Sequence, residues 1–324
     1  MKPFDLIIGA ALGVGLAACA SVETQDDLAS VADTAPAELV EDSGLDIVVH
    51  EGDFAEIQQF TTPGGVSVWL VSEPSIPILS VAMAWEGGEA ADPEGLEGLA
   101  DAVVYHMNEG AGDLDSLAFQ TRMEDLNMSF GCSASSDWTS CSASMLTDNA
   151  DEAMSLVAQA FEAPRFDAGP FARFQREREV SLNTRETNAR YLAGRAEAQA
   201  IYPDHPYARE TSAESIAALT PELAKAHMRK LMVKDSLIVT AVGAITPEEL
   251  APMLDAIAES LPESNDLPET PEITFTVDGA FEPVLIDLPQ PQSLVRFLAP
   301  GLKREDPDFF TAYVVNYTYG GGGF

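Results

Sequence analysis

The side chains here that could hold a metal or move a proton are four histidines, three cysteines and a large excess of carboxylates. The histidines are His50, His106, His205 and His227, and no two lie within five residues. A helix that grips zinc from one face needs two imidazoles one turn apart, at i and i+4. That pair occurs nowhere in the chain. The nearest approach is a His and a Glu three apart, His106 and Glu109, followed by Gly110 where a second His would stand. A solitary His near a helix end reads more simply as a partly exposed residue than as a ligand. No G-x-S-x-G elbow is present, and no Gly-rich loop ends in G-K-[ST]. Cys132 and Cys141 flank Ser136 and Asp137 in an alternating Ser/Thr-rich stretch. A hairpin with 136–137 as its two-residue loop pairs 132 with 141, so a cross-strand disulfide is expected if that pair is not hydrogen-bonded. The alternative is two free thiols in a core. No second ligand pair lies near them, which argues against a zinc site.

Those residues must be held by elements that the hydropathy pattern outlines. Order is expected from about Phe54. Val66, Val68 and Leu70 alternate as a half-buried strand, and 76–85 is more continuously apolar, as in a central strand. Leu96, Leu99, Ala100, Val103, Val104 and Met107 form a stripe at helical spacing. A second helix is expected over 116–126, the hairpin over 129–145, and helices over 152–163 and 171–201. Pro206 and Tyr207 stand in a stiff loop after His205. Thr220 with Pro221 opens another helix. A β-branched strand follows at 236–242, and Thr246 caps a last helix to Leu261. Residues 263–272 are a Pro/Glu-rich linker. Strands are then expected at 273–277 and 293–299, and a helix from Asp306 with an aromatic stripe at Phe309, Phe310, Tyr313 and Tyr317, core in character but left exposed where its partners are missing.

Residues 95–107 read GLEGLADAVVYHM. This segment resembles the motif helix of the M16 peptidases (pitrilysin- and insulinase-like, inverse zincins). Those enzymes carry H-x-x-E-H there, two zinc-binding His and a Glu that activates water. The corresponding positions here are Asp101, Val104 and Tyr105, so the ligand set is depleted and the base is an aliphatic. The family's third ligand, a Glu on a later helix, is expected within 176–185. Glu177 and Glu179 are nearby, but the register favours 181–183. The resemblance spans roughly residues 55–262 and includes Asn108-Glu109-Gly110, the hairpin around Trp138, and His205-Pro206-Tyr207. It implies an α+β fold of the M16/LuxS-like type: a mixed, mostly antiparallel sheet with helices packed on one face. From 273 onward the chain resembles the start of a second such domain, its Gly-rich segment matched by 320–323. On that likeness the second domain reads as truncated at Phe324.

The first 18 residues read as a lipoprotein signal peptide. Lys2 is the positive end, 6–18 is apolar and too short to span a bilayer, and Leu16-Ala17-Ala18-Cys19 resembles a lipobox with Cys19 as the lipidation site. Ala20 rather than Asp follows it, which favours the outer membrane, facing the periplasm or the cell surface. Residues 19–52 are then an acidic flexible linker and 53–262 the M16-like domain. The formal charge is −36, from 53 acids and 17 bases. Such a field repels nucleic acid and anionic headgroups and could attract basic peptides.

These observations point to a catalytically inactive M16-like subunit, with no catalytic residue, no metal ligand and no cofactor of its own (zinc serves the active relatives). The resemblance implies a zinc-bearing M16 partner in a hetero-oligomer, whose chamber this chain completes around peptide substrates. A peptide-binding or scaffold lipoprotein without a peptidase partner is the alternative. An active metalloendopeptidase with displaced ligands is a further one.

Overall fold

Alternation of side chains along one long strand decides how the domain is layered. In Ile78–Glu86, residues Leu79, Val81, Met83 and Trp85 are all buried to 1% exposure or less. Ile78, Ser80, Ala82, Ala84 and Glu86 point to the opposite face, as the two-residue period of a strand requires. The computed structural model describes residues 38–40, 44–52, 55–273, 283–298 and 301–321. Its strands are β1 (Glu38–Val40), β2 (Ile47–Glu51), β3 (Glu56–Thr61), β4 (Ser67–Ser72), β5 (Ile78–Glu86), β6 (Ser129–Ala134), β7 (Trp138–Leu146) and β8 (Ile238–Gly243). They form one sheet in the order β1-β2-β3-β4-β8-β5-β7-β6. Only β4 and β8 run parallel; the remaining pairs are antiparallel. The last strand therefore enters mid-sheet, and β6 is left as an edge.

One face of this sheet carries the core. Trp85 and Phe161 pack at 5.6 Å between ring centres, joining sheet to helix. The helices are α1 (Leu99–His106), α2 (Ser116–Asp125), α3 (Ala150–Glu162), α4 (Ala168–Arg185), α5 (Ala189–Ile201), α6 (Ala213–Ala218), α7 (Pro221–Leu231), α8 (Pro247–Ala258) and α9 (Phe309–Asn316). Burial of large side chains such as Phe119, Phe174 and Leu231 contributes roughly 1.5–3 kcal/mol each relative to exposure. The opposite face is open. It mixes paired serines, with Ser80 to Ser144 and Ser133 to Ser140 each at 3.1 Å, with exposed apolar side chains such as Trp69, Ile78 and Val242.

The helix ends follow local chemistry. Thr220 and Thr246 each accept a backbone N–H from the first turn, and Glu249 completes a capping box at α8. The single helix expected over 171–201 is broken in two. Asn188 Oδ1 accepts the N–H groups of Arg190 and Tyr191 at 3.0 and 3.1 Å, so it caps α5 instead of continuing α4. A short polar side chain that can bond the backbone competes with the helix interior.

In the β6–β7 hairpin Ser135 N–H bonds Trp138 O, and Cys132 lies opposite Cys141 with Cα atoms 4.0 Å apart. The two are joined as a disulfide. The stretch 19–52, read above as a linker, contains β1 and β2. Ile47 and Val49 are buried against the sheet, so the hydrophobic contact of two alternate residues outweighs the acidic composition around them. The signal peptide 1–18, Cys19 and most of that linker lie outside the described residues, as do 274–282 and 322–324. No strand forms within 293–298. Helix α9 is present, and Phe310, Tyr313 and Tyr317 are 62–66% exposed, as expected of a core-type stripe without its partners. Among the described residues no helix is long and apolar enough to cross a membrane.

Candidate functional site

Helix α1 is set in place by one buried carboxylate. Asp92 accepts the N–H groups of Gly98, Leu99 and Ala100 at 2.8, 2.9 and 2.9 Å. These are orphan donors of the first turn, where the helix dipole also favours negative charge. Gly98 itself sits at φ +98°, with space for no larger side chain beside Ile216 and Thr211. Arg209 holds the preceding loop through the carbonyls of Asp92 and Ala90, both at 2.6 Å. The hairpin tip closes the other side. Gly87 N–H bonds Asp137 O, Glu89 N–H bonds Ser135 O, and Ala90 N–H bonds Ser136 O, at 2.7–2.9 Å. Tyr207 donates to the Asp137 carboxylate at 2.6 Å, and that bond pushes its phenol pKa up to about 12.

So anchored, α1 buries Leu99, Ala100, Ala102, Val103 and His106 and turns Asp101 and Tyr105 toward α4. Asp101 makes a two-point ion pair with Arg178: Nη2 donates to Oδ1 at 2.9 Å, and Nε donates to Oδ2. This pair and burial act oppositely on the guanidinium, and the pair wins, raising its pKa. The guanidinium also lies 5.1 Å over the Phe174 ring. Tyr105 donates to Glu177 Oε2 and accepts from Arg173 Nε, each at 3.1 Å. Burial raises the Tyr105 pKa, so its phenol keeps its proton at neutral pH. Val104 offers no polar atom.

This set does not fit zinc. Its carboxylate is neutralised by a resident guanidinium, its phenol is protonated and doubly engaged, and the base position is apolar. The Arg178 guanidinium engages both Asp101 oxygens, so a cation bound there would have to displace it. Glu177 is the residue α4 brings to this cluster, not 181–183 as the register suggested. It lies one turn beyond Arg173, and its signal was the buried Phe171 and Phe174, which fix the facing side of α4.

The His106 expectation is overturned. The ring is fully buried, stacked on Phe166 and Phe171 at 5.4 and 5.0 Å, and Nδ1 donates to Ala102 O at 2.7 Å. Burial lowers its pKa. The aromatic partners come from about sixty residues downstream, so no local pattern could reveal them. Glu109 is held by Arg173 at 2.6 Å and by the Ser116 hydroxyl. Among the described residues no three metal-binding side chains converge.

A model of the insulinase family, peptidase family M16, matches residues 67–213. That match covers a little under half of the chain, so it is a likeness to the M16 family over those residues. A curated relative, the non-peptidase homologue YmxG of Helicobacter pylori (strain ATCC 700392 / 26695), is 23% identical over 250 residues, covering 76% of this chain and 57% of that protein. The M16 inactive domain from Pseudomonas fluorescens superposes with a TM-score of 0.63 at 23% identity, over 67% of this chain and 54% of that one. Pitrilysin gives 0.61 at 19% identity, over 75% of this chain and 26% of its own. The chain thus spans about half the length of the first two relatives. The M16 fold is shared with both enzyme and non-enzyme, so the local chemistry of Asp101, Val104 and Tyr105 must carry the functional argument.

Proposed function

We propose that the chain is a non-catalytic M16-type subunit that completes the substrate chamber of a zinc-bearing M16 partner in periplasmic peptide degradation or processing. The observation that carries this reading is the Asp101–Arg178 pair, in which a guanidinium engages both oxygens of the carboxylate at a motif position. The non-peptidase name of the H. pylori relative supports it. In this proposal Cys19 is lipidated and tethers the domain to the outer membrane, facing the periplasm or the cell surface. Catalysis belongs to the partner, and this half contributes enclosure and peptide contact.

A peptide-binding lipoprotein without a partner is the second reading. Edge strand β6 favours it, because its outer backbone groups could pair an extended peptide. Asn108 Nδ2 already takes the Phe130 carbonyl at 3.2 Å, which limits such pairing to part of the strand.

The test is affinity purification of the full-length chain from native membranes after mild cross-linking. Recovery of a zinc-containing M16 subunit in stoichiometric amount is the expected result. Recovery of the chain alone, still retaining peptides, would replace the chamber reading with the second one.

A further inference from the structure

Residues 262–271 have the composition of a flexible linker but lie docked across the domain. Lys234 N–H bonds Pro262 O at 2.9 Å and Asp235 N–H bonds Glu263 O at 3.0 Å. Lys234 pairs with Glu263, and Lys230 with Asp266, at 3.1 and 3.0 Å. These ion pairs are exposed and add little by themselves. The apolar anchor is Leu267, partly buried against the hydrophobic core beside Gly87. A Cβ on Gly87 would come within 2.8 Å of Leu267 Cδ1. The far end is held by His205, whose Nε2–H donates to Pro271 O at 2.9 Å while Nδ1 accepts the Tyr207 N–H at 3.2 Å. Those two bonds require the same neutral tautomer. Between the two anchors, 268–271 roof a cavity of about 410 Å³ with Asp92 and His227 among its lining residues.

Both anchors lead to one place. Gly87 donates its N–H to Asp137 O and accepts the Thr139 hydroxyl at 2.8 Å. Tyr207, next to His205 at 4.3 Å between rings, holds the Asp137 carboxylate. The strap therefore rests at each end on a residue that grips the β6–β7 hairpin tip. That hairpin carries the edge strand, and the strap leads into residues 283–321, where Leu285, Phe297 and Tyr319 are 80–92% exposed.

We propose that 262–271 is a latch that couples its own seating on the domain to the order of the hairpin tip and of edge strand β6. When Leu267 leaves its seat and Pro271 its bond to His205, the tip loosens. The inference rests on the contacts above and stands whichever reading of the chamber holds.

The test is hydrogen–deuterium exchange on the full-length chain, as wild type, Leu267→Ala and His205→Ala. The expected result for Leu267→Ala is exchange about tenfold faster in the strap and also at Gly87, Ser135 and Trp138, with the amides of β5 and α8 unchanged. His205→Ala, which frees the Pro271 end and also removes the acceptor of the Tyr207 N–H, is expected to act in the same direction. Faster exchange in the strap with an unchanged tip in both variants would overturn the coupling. A wild-type strap cut at Glu269 by a glutamyl endopeptidase as fast as a free peptide of the same sequence would overturn the docking itself. If Leu267→Ala unfolds the domain, the milder Leu267→Val decides by the same comparison of strap and tip.

Discussion

Replacing Asp92 with Ala should cost more than any other single polar substitution near the site. The carboxylate is 1% exposed and accepts three backbone N–H groups at 2.8–2.9 Å. Loss of one cap usually costs about 0.5–2 kcal/mol, and a hydrogen bond to a charged group contributes about 1.5–3 kcal/mol. Three donors are orphaned together, but the first turn can recover part of this by admitting water. The net loss should be about 4 kcal/mol. For a domain of this size each kcal/mol moves Tm by roughly 2–4 °C, so a fall of about 8–16 °C is expected. Asp92→Asn keeps one acceptor oxygen but turns an NH2 toward one of the donors. It should cost about half as much, roughly 2 kcal/mol. Thermal unfolding followed by circular dichroism and tryptophan fluorescence reads both variants. A fall below about 3 °C for the Ala variant would refute the argument, since the smallest single-cap loss would account for it. So would an Asn variant as damaged as the Ala one, because the acceptor geometry would then be irrelevant.

Three further outcomes follow from the same contacts. Gly88→Ala places a Cβ 2.1 Å from the Ser135 carbonyl oxygen, so the hairpin tip must shift; a loss of about 2–4 kcal/mol in urea unfolding is expected, and a neutral variant would contradict the packing. His106 has a lowered folded pKa, so the unfolded chain binds its proton first as pH falls below about 6.5, and stability drops by up to about 1.4 kcal/mol per pH unit from this group. His106→Phe should flatten that acid slope between pH of about 7.5 and about 5.5, and equal slopes would show that the imidazole is not held neutral. Tyr207 has a folded pKa pushed up to about 12, so unfolded chains ionise first and its contribution fades as pH rises above about 10. Tyr207→Phe should remove the latest-titrating phenol from an alkaline absorbance titration and weaken protection of the hairpin tip.

Much of the fold was legible because its signals are local. Alternation in β4, Thr caps with Pro at the first helical position, and the Ser136–Asp137 turn all act over a few residues, and the structure has them where the sequence placed them. Strands β1 and β2 were not legible. They are short, their surroundings are acidic, and their place is set by contact with β3 rather than by propensity. The break between α4 and α5 rests on one Asn whose capping bond competes with the helix, a choice that composition leaves open. At the site, helical spacing put Asp101 and Tyr105 on one face of α1. What they face could not be read locally, because Arg178 lies 77 residues from Asp101 and its register depends on how Phe171 and Phe174 pack. His106 failed for the same reason: its surroundings are three aromatic rings brought from 166–174 by the fold.

The central claim is that a guanidinium and a protonated phenol have replaced a metal centre. It is tested most directly by zinc stoichiometry on the purified full-length chain, by elemental analysis after mild desalting and again after chelator. Zinc well below one equivalent, unchanged in Arg178→Lys, is the predicted result. One full equivalent that a chelator removes would contradict it, and would put Asp101, His106 and Glu109 back under test as ligands.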